Sequence, residues 1–219
     1  MASGFLLMVP IFMFMLISTK ENPVEGTLRF MQILKEKIIR YGKPIADSII
    51  KVDSFLNHQL DIDLLNEIGQ EFKKRFQDKT ITKILTLESS GIAIACITAQ
   101  YFHVPVVFAK KHEAANLEAD TFQAEVYSFT KDKAYQIRVA KEYLLPIDNI
   151  LLIDDFLANG QAINGLLEIV SQAGAKTAGI GIVIEKGFQK GREKINNQQI
   201  QLESLAIIEA IRNGKIIFQ

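Results

Sequence analysis

Tryptophan is missing from this chain, cysteine and histidine are scarce, and neither sign of charge is in excess. With Cys96 standing alone, an intrachain disulfide framework is impossible, and a reducing compartment is the simplest setting. Cys96 lies in an Ala-rich apolar run, where a buried, inert thiol is expected. Lys plus Arg and Asp plus Glu both number 25, so the formal net charge is zero. That balance leaves no basic surplus for a polyanionic backbone and argues against nucleic acid as the main partner. No pair among His58, His103 and His112 has metal-ligand spacing, so no dedicated protein metal site is expected. A long membrane-spanning run is also missing. Phe5 to Ile17 is apolar but interrupted by Pro10, and is shorter than the roughly 20 residues a regular spanning helix needs. It has neither a basic segment before it nor a clear cleavage site after it. Residues 1–30 are therefore expected to be a mis-assigned start rather than part of the working domain, 31–219. A membrane anchor is the alternative, and no stable membrane association is expected.

What is present is a core-forming chain with 48% apolar residues, enough for one sizeable domain. Met31, Leu34, Ile38 and Tyr41 recur at helical spacing before Gly42. Lys51 to Gln59 has no period and reads as a connector. A second helix follows, capped by Asp61 or Asp63, with Leu64, Leu65, Ile68, Phe72 and Phe76 on its buried face. Strand candidates are Ile81–Leu87, Val104–Ala109, Ala124–Thr130, Tyr135–Val139 and Ala178–Ile184, and Ala93–Phe102 makes a compact apolar helix. The strand–helix–strand order implies right-handed parallel crossovers. Lys110 to Gln123 is polar and without clear structure, a length that usually signals function or disorder.

The organising stretch is Ile150 to Ala162. Four apolar residues, Ile150 to Ile153, read as a strand buried on both faces. Asp154 and Asp155 end it abruptly, since adjacent charges are tolerated where a strand leaves the core. Ala158-Asn159-Gly160-Gln161-Ala162 then forms a short loop before a helix with Ile163, Leu166, Leu167 and Val170 on one face and Gly174 as its stop. Backbone N–H groups at a helix start favour an anion, and carboxylates at a strand end suit sugar hydroxyls. Together they describe a site for a phosphorylated sugar; the alternative is an ordinary strand-to-helix turn with solvated aspartates. Glu88-Ser89-Ser90-Gly91 lies at the carboxyl end of another strand, the edge where open α/β sheets bind ligands. There the alternative is a plain turn with a serine capping the helix.

The Asp154–Ala162 run resembles the phosphoribosyl pyrophosphate (PRPP) motif of type I phosphoribosyltransferases, and its form is similar to the xanthine branch in particular. The resemblance begins near Met31 and runs almost to the C-terminus. The wider family usually carries Thr or Ser in this loop, where Ala158, Asn159 and Ala162 stand here. That departure shifts phosphate binding toward backbone N–H groups and the Asn159 side chain. The resemblance implies an α/β fold with a parallel central sheet flanked by helices and a small hood formed by the terminal segments. It implies PRPP binding by Ala158, Asn159, Gly160, Gln161 and Ala162, with Glu88, Ser89, Ser90 and Gly91 as the pyrophosphate loop. Asp154, Asp155 and Lys110 become the catalytic set, and Lys110–Gln123 a mobile cover. Ile50, Asn57 and Lys186 become contacts to xanthine. Mg²⁺ is expected to arrive with PRPP, and a cytoplasmic homodimer is implied. The alternatives are the same fold acting on adenine or guanine, or a PRPP-sensing regulatory module.

Overall fold

Helix α1 (Pro23–Tyr41) ends where Gly42 donates its N–H to the Ile38 carbonyl at 2.9 Å. In this computed structural model, residues 23–46, 48–112, 120–128, 132–196 and 199–219 are described. Residues 1–22 of the expected leader lie outside them, whereas residues 23–30 form the first turns of α1, where Phe30 is buried in the core. Strands β1 (Lys43–Ala46) and β2 (Ile49–Lys51) pair as an antiparallel hairpin, and a π-type helical turn follows at Asp53–Asn57. Helix α2 (Ile62–Arg75) is capped by Asp61, whose Oδ1 accepts the Leu64 N–H at 3.1 Å and satisfies one of the donors a helix start leaves free.

Among the described residues the remaining strands form one eight-stranded sheet, ordered β10-β9-β8-β7-β3-β4-β6-β5. The strands are β3 (Lys83–Leu87), β4 (Val106–His112), β5 (Thr121–Ser128), β6 (Lys133–Ala140), β7 (Asn149–Leu157), β8 (Lys176–Lys186), β9 (Leu202–Arg212) and β10 (Lys215–Phe218). The stretch from β9 to β4 is parallel, and β10, β6 and β5 add antiparallel margins. Helices α3 (Ser90–Phe102) and α4 (Gln161–Gln172) are the crossovers after β3 and β7, and α5 (Gly191–Asn196) follows β8.

The strands are apolar throughout because the sheet is covered on both faces. Leu151 and Ile153 of β7 join the cluster under α1, α2 and α3, while Ile150 and Leu152 join the cluster under α4. Gly179 and Gly181 are small because rings lie over them: a Cβ there would come within 2.5 Å of Phe76 and 2.8 Å of Phe72, respectively.

Four details differ from the sequence reading. The C-terminal segments, expected over the ligand edge, continue the main sheet as β9 and β10, so the separate hairpin comes from the N-terminal part alone. An eleven-residue strand with several buried positions finds its partner in β8, which a cap could not offer. Strand β7 does not stop at Asp154 but runs on to Leu157. Its pairing with β3 ends at Leu152 while that with β8 continues to Leu157, so the aspartates sit where one of the two ladders has ended. Strand β4 continues through Lys110–His112 because β6 pairs with it there; of the expected loop, residues 113–119 lie outside the described ones. Finally, Cys96 is exposed: Ile94, Ala95, Thr98 and Ala99 take the inner face of α3 and leave position 96 outside.

Candidate active site

The carboxyl ends of β3, β7 and β8 converge on one edge of the sheet. Asp154 and Asp155 are only 6% and 7% exposed there, and neither forms an ion pair among the described residues. The Asp155 N–H donates to Asp154 Oδ1 at 3.0 Å. Burial, and then the adjacent Asp155 charge, push the Asp154 carboxyl well above its usual range, while Lys111 pulls it down. Two buried carboxylates without a cation cost on the order of several kcal/mol, so the folded chain holds them at a loss.

Gly91, in the first turn of α3, lies directly beside Asp154. A Cβ on Gly91 would lie 2.1 Å from Thr86 Oγ1 and 3.3 Å from Asp154 Oδ1, so only glycine lets the turn come this close. Ser89 occupies the cap position of α3 but makes no side-chain capping bond, which leaves the hydroxyl uncommitted to the helix. Thr86 Oγ1 is buried without a partner. Glu88 reaches across to β4, where its carboxylate accepts the Lys111 N–H. Lys110 is exposed and lies opposite Arg138 in the β4–β6 pairing. Lys111 stands over the Tyr135 ring, 5.5 Å from its centre, and carries the charge that Asp154 senses.

A cleft joins the rest. Its wall includes the whole loop Ala158–Ala162, Lys186, Gln189, Tyr135 and, from the hairpin, Ser48. Gly160 adopts φ +79 at the start of α4, a conformation that favours glycine, and no side chain caps the helix. The first backbone N–H groups of α4 are therefore left for whatever the loop binds. Lys186 donates to the Ser48 carbonyl at 2.9 Å and lies 5.7 Å from the centre of the Phe156 ring. It thus ties the end of β8 to the hairpin. Burial lowers its pKa, an effect that the Asp155 charge opposes.

The cleft wall does not include Ile50, Asn57, Asp154, Asp155, Lys110 or Glu88–Gly91. Ile50 is part of the hydrophobic core, 6% exposed. Asn57, at the end of the π-type turn, is half-buried and its Oδ1 is shielded without a hydrogen-bond partner. Among the described residues no group of three or more His, Cys, Asp or Glu could hold a metal ion.

A model of the phosphoribosyl transferase domain matches residues 52–211. A xanthine phosphoribosyltransferase from Clostridium novyi is 58% identical over 189 residues, covering 86% of this chain and 100% of that protein. One from Clostridium tetani is 59% identical over 190 residues, with the same coverage. The chain belongs to the phosphoribosyltransferase family. Among solved structures, the adenine phosphoribosyltransferase of Giardia lamblia complexed with 9-deazaadenine superimposes with a TM-score of 0.68 at 27% identity, covering 80% of this chain and 96% of that one. The Saccharomyces cerevisiae adenine enzyme, at 23% identity and a TM-score of 0.66 over 81% of this chain and 99% of its own, shares the fold.

Three features of the site in this phosphoribosyltransferase carry no local signal in the sequence. Gln189 lines the cleft and has a buried Oε1 without a partner, yet reads in sequence as one polar residue of a turn. Tyr135 also lines the cleft, and its strand alternation gives no sign of that. Glu185, buried, and Arg192, half-buried, form an ion pair behind the loop, and their separation of seven residues across a strand, a turn and a helix follows no periodic pattern.

Proposed function

We propose that this chain is a purine-salvage transferase that converts xanthine and PRPP to xanthosine 5′-monophosphate and pyrophosphate. The observation that carries the reading is a single cleft holding both Ala158–Ala162 and Lys186, whose wall also takes Phe156 and Leu157, the residues that follow a buried aspartate pair with no ion pair among the described residues. Relatives named xanthine phosphoribosyltransferase, at 58% and 59% identity over their full length, support the choice of base.

In this reading a purine ring nitrogen forms the bond to the ribose anomeric carbon as the bond to pyrophosphate breaks. The ribosyl centre becomes oxocarbenium-like, so positioning and stabilisation of the departing charge supply the catalysis. Backbone N–H groups of Ala158–Ala162 hold the 5′-phosphate, with the Asn159 side chain beside them. Asp154 and Asp155 accept hydrogen bonds from the ribose hydroxyls. Glu88–Gly91 and Lys110 take the pyrophosphate, with Lys111 adding positive charge close to Asp154. Mg²⁺ enters with the PRPP substrate, bound by its oxygens and by water.

Base choice rests on donor and acceptor matching. Lys186 offers only donors, and its bond to Ser48 leaves two of its three N–H groups for an exocyclic oxo group. Asn57, whose amide both donates and accepts, is assigned to the oxo-bearing edge of xanthine, a role that requires its shielded Oδ1 to turn toward the cleft. Ile50 shapes the hood behind them. Adenine carries an amino group where Lys186 needs an acceptor, so kinship in fold with adenine enzymes does not transfer their base. The proposal includes a cytoplasmic homodimer with no nucleic-acid partner; no helix among the described residues is long and apolar enough to cross a membrane. Nucleotide formation from PRPP, measured with xanthine, guanine, hypoxanthine and adenine separately, tests the reading. Xanthine is expected to give the highest kcat/KM, and equal or better use of adenine would refute it.

A further inference from the structure

The loop Ala158–Ala162 carries no hydroxyl side chain, so its grip on an anion depends on where its backbone lies. Its rear surface is packed against Gly191, the first residue of α5. A Cβ on Gly191 would fall 2.3 Å from the Ala158 carbonyl oxygen and 3.1 Å from the Gly160 nitrogen. Conversely, a Cβ on Gly160 would meet the Gly191 backbone at 3.3 Å. The two glycines therefore allow main chain to rest on main chain. Lys194 of the same helix reaches the Asn159 carbonyl at 3.4 Å.

A six-residue helix has little stability of its own, so α5 must be held from outside. Ile195 anchors it in the core. Arg192 fixes its opening turn: Nε lies 2.8 and 3.1 Å from the two Glu185 carboxylate oxygens, and Nη2 lies 2.6 Å from Oε2. Nη2 also donates to Ser204 Oγ at 3.0 Å, and Ser204 Oγ in turn donates to Glu185 Oε2. Glu185 is only 3% exposed, so its charge depends on this fork. It precedes Lys186 in β8, so one strand end serves both sides of the cleft, with Lys186 on the hairpin and Glu185 on α5.

We propose that Gly191, Arg192 and Glu185 are positioning residues for PRPP: the Glu185–Arg192 pair, with its carboxylate buried, holds α5 as the back wall that sets the shape of the phosphate loop. None of the three touches substrate, and α5 itself binds no anion. The inference rests on the assignment of Ala158–Ala162 to the 5′-phosphate.

The test is steady-state kinetics with PRPP and xanthine varied separately, alongside thermal melting, for Gly191→Ala, Arg192→Met and Arg192→Lys. Lys83→Met serves as the control, since it breaks an ion pair with Asp148, its cation the better shielded of the two, at the far end of the sheet. Displacing the loop by a fraction of an ångström in Gly191→Ala should raise KM for PRPP about tenfold or more, with KM for xanthine within about twofold of wild type. Arg192→Met should move in the same direction and Arg192→Lys, which restores the charge without the fork, should recover part of the loss. Lys83→Met should lower the melting temperature and leave KM for PRPP unchanged. A wild-type KM for PRPP in Gly191→Ala would overturn the inference, as would an equal rise in Lys83→Met. A wild-type protein that makes no nucleotide from PRPP with any purine would instead overturn the functional reading, and this inference with it.

Discussion

The two ends of β7 leave aspartates almost equally little exposed to solvent and treat them in opposite ways. At the amino end Asp148, 7% exposed, accepts from Lys83 Nζ at 2.8 Å, Thr82 Oγ1 at 3.0 Å and the Leu145 N–H at 2.8 Å. Its carboxyl is held below the ordinary value, because these bonds and the Lys83 charge outweigh its burial. At the carboxyl end Asp154 and Asp155 are as little exposed, form no ion pair among the described residues, and Asp154 is pushed the other way. One end is complete as folded chain. The other becomes complete only when a ligand supplies donors, and this difference marks the working edge of the sheet.

The largest effect should come from breaking the incomplete end. Asp155→Ala should abolish nucleotide formation with every base, by at least about a hundredfold, because it removes a ribose contact used whatever the acceptor. Its melting temperature should not fall, since a buried unpaired charge is removed; survival of activity with any purine would count against the shared ribose site. The complete end should behave oppositely. Asp148→Asn should cost about 3 kcal/mol of stability in denaturant titration by leaving Lys83 unpaired, with kcat/KM kept close to wild type.

Next in size is the base side. Lys186→Ala should reduce xanthine use roughly ten- to hundredfold, the value of a charge-assisted hydrogen bond, with much less change in KM for PRPP. Equal xanthine turnover in the variant would remove Lys186 from the site.

The smallest effect is on pH dependence, and it separates the two ends by sign. A carboxyl raised above its ordinary 3.8 destabilises the fold when ionised, so that cost is present above the folded pKa and fades as pH falls through it. Asp154→Asn should therefore be more stable than wild type at pH 8, and the gap should narrow on acidification well before pH reaches about 4. Asp148, held low, stabilises the fold above its unfolded value and loses that contribution only as pH falls through its folded pKa. The deficit of Asp148→Asn should accordingly persist to about pH 4 and close below it. Urea titrations across pH would show both; gaps closing over one common range would contradict the contrast.

The contrast also explains what could be read in the sequence. The carboxyl edge was legible because it is local: an apolar strand, paired carboxylates, a small-residue loop and an amphipathic helix are contiguous from Ile150 to Val170. The same holds for Asp61 as a helix cap, which contacts a residue three positions on. Features made by distant segments were not legible. That Leu202–Arg212 joins the sheet depends on the free edge of β8, and that β4 extends through Lys110–His112 depends on β6. The exposure of Cys96 depends on which face of an almost wholly apolar helix meets the sheet, and apolar spacing does not choose one there. Gln189 and Arg192 gain their surroundings only once the turn after β8 folds back against the loop after β7.

The central claim, that this edge joins PRPP to an oxopurine, is tested most directly by competition. The protein is given limiting PRPP, Mg²⁺ and an equimolar mixture of xanthine, guanine, hypoxanthine and adenine, and the nucleotides formed are resolved by mass. The account predicts xanthosine 5′-monophosphate as the dominant product, with one pyrophosphate released for each nucleotide. Adenosine 5′-monophosphate as the main product, or consumption of PRPP without any nucleotide, would contradict it.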